Sequence, residues 1–251
     1  MTTGLVSITY RQLTPDEIIA LVKRSGLDEI EWGGDIHVPC GDMETAKAVG
    51  EKTRAAGLGI ACYGSYCRMT DEEKDAGVFR QTVDTAKALG APLIRVWAGK
   101  KGSAEATEAD REEIVRNAQL LGDMAAQAGI DVAFEYHGRT LTDERTSALR
   151  LLQAVGRGNV GCLWQPPVDM SVEDCLASID TVAPYIRNIH VFSWNHTERL
   201  PLRDGSEKWN ALLGRLRNLP GTHKLLIEFV AQNAPEQLPA DAACLREWLK
   251  G

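Results

Sequence analysis

The stretch VAFEYHG, residues 132–138, places a carboxylate and an imidazole at the end of a short apolar run. Its first three residues have the apolar, aromatic-containing character of a buried strand. Glu135 and His137 then follow two residues apart, and side chains two apart on a strand lie on the same face. Both polar groups therefore point to one side, either into water or into a site.

Short apolar runs of this kind recur along the whole chain. Each is too short for a typical helix and contains β-branched or aromatic residues, which is typical of strands. The eight predicted strands are LVSIT (5–9), LDEIEW (27–32), LGIACY (58–63), PLIRVW (92–97), IDVAFE (130–135), VGCLW (160–164), IRNIHVF (186–192) and KLLIEF (224–229).

Helical patterns lie between these runs. The segment that begins PDEII has Pro15 in its predicted first turn and ends at Gly26. Thr107 is a predicted N-cap, with Asp110 three residues later as a stand-in for the usual Glu or Gln of a capping box. Ser171 is the predicted N-cap of a later helix. The chain therefore alternates strand and helix.

Eight such units predict a single (β/α)8 TIM barrel that extends over residues 1–251 as one domain. An open doubly wound sheet is the alternative architecture. Such a sheet usually has a glycine-rich phosphate-binding turn after its first strand. The corresponding stretch here, SITYRQLTPDE, contains no glycine, so the closed barrel is favoured.

Composition excludes several classes of function. The 28 basic and 35 acidic residues give a net charge of −7, which disfavours nucleic acid as a partner. The six cysteines form no C-x-x-C pair, as expected for reduced thiols. No apolar run is long enough to span a membrane, and the first residues do not resemble a secretion signal. We therefore expect a cytoplasmic protein with no membrane partner.

The active site of a (β/α)8 barrel lies at the carboxyl ends of its strands. Glu135, Gln165, His190 and Glu228 stand at the ends of predicted strands five to eight, which are neighbours in a barrel. Two carboxylates, an imidazole and an amide suit Mn²⁺, Mg²⁺, Co²⁺ or Zn²⁺. A lone Glu there is usually solvated and a lone His is usually a core residue, so the prediction of a metal site rests on the set of four.

Tryptophans also gather at predicted strand ends. Trp32, Trp97, Trp164 and Trp194 stand at or just after four of them. Aromatic faces beside polar groups suit small polyhydroxylated ligands, so we expect these side chains to line the mouth of a sugar-binding pocket. The alternative is that each tryptophan packs beneath a loop.

Five motifs, taken in order, resemble those of the xylose isomerase-like TIM barrels, a group of sugar isomerases, epimerases and endonuclease-IV-type enzymes. The resemblance covers nearly the whole chain. The motifs are IEWGGDIHVP after strand two, YGSY after strand three, FEYHGRTLTD at strand five, IHVFSW at strand seven and LIEF at strand eight.

The resemblance implies a divalent metal held by Glu135, His190 and Glu228. The family usually has Asp-Pro-x-His at strand six, where this chain reads QPPV, so Gln165 stands in the place of the aspartate. The site loses one negative charge, which we expect to lower its affinity for metal. The missing histidine removes a ligand that multi-zinc endonucleases need, which argues against DNA repair.

The resemblance further implies a metal-dependent isomerase or epimerase that acts on a keto-sugar or polyol through an enediolate. Glu135 and Glu228 would exchange the proton, and His137 and Arg199 would contact substrate. Two alternatives remain open: a lyase or dehydratase acting on a keto-sugar or cyclic polyol, and a non-catalytic sugar-binding barrel. A homo-oligomer is expected by analogy, because related barrels often pair.

Overall fold

Eight parallel strands close into a barrel in the computed structural model, which describes residues 1–168 and 170–250. Each strand pairs with its neighbours in chain order, and β1 closes the barrel against β8. This confirms the predicted (β/α)8 barrel. The strands are β1 Thr2–Val6, β2 Glu29–Gly33, β3 Gly59–Gly64, β4 Leu93–Val96, β5 Asp131–Glu135, β6 Val160–Trp164, β7 Ile186–Val191 and β8 Lys224–Ile227.

The α-helices of the described residues alternate with these strands, with one additional short helix, α3, between β3 and α4. Their bounds are α1 Pro15–Arg24, α2 Met43–Ala55, α3 Asp71–Asp75, α4 Val78–Leu89, α5 Glu108–Gln127, α6 Arg145–Val155, α7 Val172–Val182, α8 Ser206–Leu216 and α9 Leu238–Lys250. None of the helices in the described part of the chain combines the length and apolarity that a membrane crossing requires.

Helix starts follow the predicted caps. The backbone N–H of Asp110 donates to Thr107 Oγ1 at 3.2 Å, and the Asp110 carboxylate accepts from the Thr107 backbone at 2.8 Å. Ser171 Oγ likewise accepts from the backbone N–H of Asp174 at 3.0 Å. These contacts satisfy N–H groups that have no partner within the first turn of a helix.

The first strand lies earlier than its predicted range of 5–9. It occupies Thr2–Val6, and Ser7–Tyr10 form a 3₁₀ turn instead. Ser7 Oγ accepts from the backbone of Gly33 at 2.8 Å, and Thr9 Oγ1 accepts from the backbone of Phe229 at 2.8 Å. These two hydroxyls connect the turn to the end of β2 and to the loop that follows β8.

The interior of the barrel holds a small apolar cluster beneath a polar layer. Strand periodicity explains the two layers, because residues two apart point to the same face. The apolar residues Leu93, Ala133, Leu163 and Leu226 each stand two positions before a polar one, namely Arg95, Glu135, Gln165 and Glu228. The larger core lies between the barrel and its helices.

The same periodicity corrects the prediction for two tryptophans. Trp32 follows the inward-facing Glu31 and Trp164 precedes the inward-facing Gln165, so both indoles point outward to the helices. Both are fully buried. Trp32 Nε1 donates to Thr53 Oγ1 of α2 at 3.2 Å, and Trp164 Nε1 donates to Ser178 Oγ of α7 at 3.0 Å. They belong to the core between barrel and helices, and the prediction that they line the pocket was wrong.

Candidate active site

The four residues predicted as metal ligands meet at the carboxyl end of the barrel. Ligand atoms of Glu135, His190 and Glu228 all lie within 4.8 Å of one another. Gln165 joins two of them, since its Nε2 donates to Glu135 Oε1 at 3.1 Å and its Oε1 lies 3.3 Å from His190 Nδ1. All four side chains are buried.

Two further charged residues, to which the sequence analysis gave no role, complete this cluster. Arg95 is buried at the end of β4, where its Nη1 donates to Glu135 Oε2 at 2.9 Å and its Nε donates to Glu31 Oε1 at 3.3 Å. The other oxygen of Glu31 lies 3.1 Å from His190 Nε2. The sequence signal that could have identified them is their position, because Glu31 and Arg95 are charged residues within the predicted strands LDEIEW and PLIRVW.

The Arg95–Glu31 pair fits because β3 ends in glycine. A Cβ placed on Gly64 would lie 2.9 Å from Arg95 Nη2 and 2.9 Å from Glu31 Oε1. Both distances are shorter than van der Waals contact allows, so any side chain at this position would displace one of the two charged groups.

Opposite charges within the cluster favour the charged forms of Glu31, Glu135, His190 and Arg95. Burial alone would raise the pKa of Glu31 and of Glu135, but the positive charges of His190 and Arg95 lower both. Burial alone would lower the pKa of His190, yet the carboxylates of Glu228 and Glu31 raise it to about 10. Arg95 likewise has a raised pKa, because Glu135 and Glu31 outweigh the effect of its burial.

The charges and geometry of the cluster fit a divalent cation. Three carboxylates against the positive charges of Arg95 and protonated His190 leave one negative charge, and loss of the Nδ1 proton to a metal would leave two. The contact of Glu31 with His190 Nε2 directs Nδ1 towards the other ligands. A carboxylate in this position is the usual outer partner of a metal-bound histidine. Glu135, Glu228 and His190 Nδ1 would supply the ligand atoms.

His137 lies beside this cluster with a defined tautomer. Its Nδ1 lies 2.7 Å from the backbone carbonyl of Gly138, which can only accept, so Nδ1 carries a proton, and in the neutral ring Nε2 has the lone pair. The ring stacks on Trp97 with centroids 5.2 Å apart. Trp97 Nε1 donates in turn to Glu135 Oε2. Trp97 thus fixes the relative positions of Glu135 and His137.

A cavity of about 200 Å³ opens over these groups. Trp97, Trp194 and His137 line it. Arg199 stands above the ring of Phe229, with 3.6 Å between Cζ and the ring centroid. The full lining is Ile8, Arg11, Tyr66, Arg95, Trp97, Glu135, His137, Gln165, Trp194, Glu228 and Phe229.

Comparison with known proteins finds relatives that match nearly end to end. A 3-dehydroshikimate dehydratase of Bacillus anthracis is 24% identical over 270 residues, covering 96% of this chain and 94% of that protein. The crystal structure of the probable 3-DHS dehydratase of petrobactin synthesis, also from Bacillus anthracis, is 24% identical with a TM-score of 0.84 and coverages of 98% and 99%.

An epimerase has a similar fold. The 3-keto-D-glucoside 4-epimerase of E. coli is 18% identical, with a TM-score of 0.81 and coverages of 98% of this chain and 99% of that one. The family model described as xylose isomerase-like TIM barrel matches residues 19–248. The chain therefore belongs to the xylose isomerase-like TIM barrel family.

Proposed function

We propose that the protein is a metal-dependent dehydratase that removes water from a cyclic polyhydroxylated ketone. The observation that carries this proposal is the contrast between two groups at one cavity. Glu135 accepts from Arg95, Trp97 and Gln165, whereas the hydrogen bond of His137 Nδ1 to Gly138 leaves Nε2 as the acceptor of the neutral ring. This arrangement suits one proton-transferring base beside a metal ligand.

Glu135, Glu228 and His190 Nδ1 would hold the divalent ion, with the amide oxygen of Gln165 beside them. When bound, the ion supplies Lewis-acid polarisation of the substrate carbonyl, which acidifies the neighbouring C–H. The donor set suits Mn²⁺, Mg²⁺, Co²⁺ or Zn²⁺.

Glu135 then serves as a ligand rather than as the base that the sequence analysis expected. Three donors stabilise its anionic form, and its lowered pKa makes it a weak proton acceptor. His137 Nε2 takes the proton from the carbon next to the carbonyl. The electron pair of that C–H bond forms a C=C bond as the hydroxyl on the next carbon leaves. His137 returns the proton to this hydroxyl, so water departs and the base is regenerated.

The similarity to a 3-dehydroshikimate dehydratase supports this substrate class. Loss of water from 3-dehydroshikimate, followed by enolisation, yields 3,4-dihydroxybenzoate, whose aromatic ring is easily followed by absorbance. The stability of the aromatic product makes the elimination favourable.

The test is to incubate Mn²⁺-loaded protein with 3-dehydroshikimate and follow the aromatic product. His137→Gln should lower turnover by at least ~100-fold, the usual scale for a lost general base, with an unchanged metal content. Formation of an isomeric ketone without loss of water would refute the dehydratase. Wild-type turnover by His137→Gln would refute the assignment of the base.

An epimerase is the second candidate, and Glu228 favours it. Its carboxylate lines the same cavity as His137, and its ionic partner is His190 Nδ1 at 3.5 Å. It provides a second group that could return the proton to the opposite face of the carbon. Incubation of keto-sugars in deuterated solvent distinguishes the two, because an epimerase yields an inverted, deuterated sugar with no loss of water.

A further inference from the structure

A second, larger cavity adjoins the catalytic one. It measures about 470 Å³ and lies between the loops that follow β7 and β8, where residues 194–199, Gln232 and Asn233 line it. Trp194 lines both cavities. The indole of Trp194 therefore lies where the two cavities meet.

Arg199 stands at the junction of the two cavities. Its guanidinium lies 3.6 Å from the ring centroid of Phe229 and 5.5 Å from that of Trp194, both of which line the catalytic cavity. Nη1 donates to Asn233 Oδ1 at 2.6 Å, and this partner is neutral. In the described part of the chain, no acidic side chain forms an ion pair with Arg199.

The two arginines that line the catalytic cavity are already neutralised. Arg11 pairs with Asp35 at 2.7 Å, and Arg95 pairs with Glu31 and Glu135. Arg199 is half-buried, and burial lowers its pKa by penalising the charged form. Glu228 acts on Arg199 only from beyond ion-pair distance, and a partly desolvated cation with no ion-pair partner among the described residues is suited to binding an anion.

The surrounding backbone is shaped to hold this cation. Phe229, Gln232 and Asn233 adopt left-handed φ angles of 58°, 56° and 52°, which non-glycine residues rarely do. Such strain concentrates at functional sites. On the other side, Trp194 and Arg199 bridge in antiparallel fashion across a turn. The ring beneath the guanidinium and the amide beside it both stand on backbone of this unusual conformation.

We propose that Arg199 binds a carboxylate of the substrate at the junction of the two cavities. The substrate is then a polyhydroxylated keto acid, with its carboxylate at the end remote from the metal ligands. The planar guanidinium offers N–H groups in its own plane, which matches the two oxygens of a carboxylate. The inference rests on the proposed function for the identity of the ring.

The test uses two ligands that differ only in one substituent, the anionic carboxylate of 3,4-dihydroxybenzoate and the neutral amide of 3,4-dihydroxybenzamide, with Mn²⁺-loaded protein in a calorimetric titration. The wild type should bind the carboxylate at least about 10-fold more tightly than the amide, the scale of a hydrogen bond to a charged group. Arg199→Gln should bind both ligands equally. Arg203→Gln makes the same charge change four residues away, at an exposed pair with Glu247, and should keep the preference.

Three results would overturn the proposal. Arg199→Gln could retain the preference for the carboxylate over the amide, Arg203→Gln could lose that preference equally, or the wild type could bind neither ligand. The two proposals fail separately. A charge preference that depends on Arg199 without turnover of 3-dehydroshikimate would refute the dehydratase alone. Turnover with an unchanged KM in Arg199→Gln would refute the carboxylate site alone.

Discussion

His190 Nε2 lies 3.1 Å from Glu31 Oε2, and both side chains are completely buried in the barrel although 159 residues separate them in the chain. The contact fixes the rotation of the imidazole, so that Nδ1 faces Gln165 and Glu228. A residue outside the set of metal ligands therefore determines which nitrogen is available to a metal.

Replacement of Glu31 by glutamine should weaken metal binding. The amide keeps the size of the side chain but removes the charge that orients and polarises His190, so the Kd for Mn²⁺ should rise by about 10- to 100-fold. Calorimetric titration of the metal-free protein measures this change.

Glu29→Gln is the matched control for that experiment. Glu29 lies on the same strand but pairs with Lys224 and Thr2 at the other end of the barrel. Its replacement should leave the Kd within about twofold, because a distant charge is screened. Equal effects of the two substitutions would mean that the net charge of the barrel, and not the orientation of His190, governs affinity.

Gln165→Asp should strengthen metal binding. The carboxylate adds a negative charge, and it can no longer donate to Glu135 as the amide does at 3.1 Å. Metal-free protein should lose stability from the repulsion between these carboxylates, and metal should restore it. A tenfold gain in affinity corresponds to about 1.4 kcal/mol of added stabilisation at saturating metal. A smaller rise in Tm on addition of Mn²⁺ than in the wild type would contradict this prediction.

Replacement of Trp164 should lower mainly the stability of the protein, whereas replacement of Trp97 should lower mainly its affinity for metal. Trp164→Phe removes a buried hydrogen bond to Ser178 and leaves a small void, so the free energy of unfolding should fall by roughly 1–3 kcal/mol with metal affinity unchanged. Trp97→Phe keeps a ring against His137 but removes a donor to Glu135, so its main effect should be a rise of about 10-fold in metal Kd. Urea unfolding and metal titration of both variants would reveal the opposite pattern if the assignment were reversed.

Gly64→Ala should disrupt the ion pair of Arg95 and Glu31, since the added Cβ has only 2.9 Å to either side chain. We expect a loss of roughly 1–3 kcal/mol of stability, the usual cost of overpacking, together with weaker metal binding.

Gly214→Ala is the control, because it lies on the exposed face of α8 with open space around its Cβ position. That change should stabilise the protein by up to about 1 kcal/mol. A Gly64 variant with wild-type stability and metal affinity would show that the pair can move aside.

Local sequence patterns were sufficient for the elements of the barrel. Capping at Thr107 and Ser171 depends on contacts three residues apart, so it can be predicted without tertiary information. The first strand was misplaced because LVSIT continues the apolar pattern, while the hydroxyls of Ser7 and Thr9 bind backbone groups that lie far away in sequence.

The sequence by itself determined the barrel and the gathering of Glu135, Gln165, His190 and Glu228, because the ends of consecutive parallel strands must meet at one rim. Only the tertiary structure decided what each side chain does there. Whether a side chain points into or out of the barrel depends on its odd or even position along the strand. Trp32 and Trp164 occupy outward positions and pack against the helices. Contacts across the barrel interior depend on tertiary distances, which no local pattern encodes. They include the ion pairs of Arg95 with Glu31 and Glu135 and the contact of Glu31 with His190.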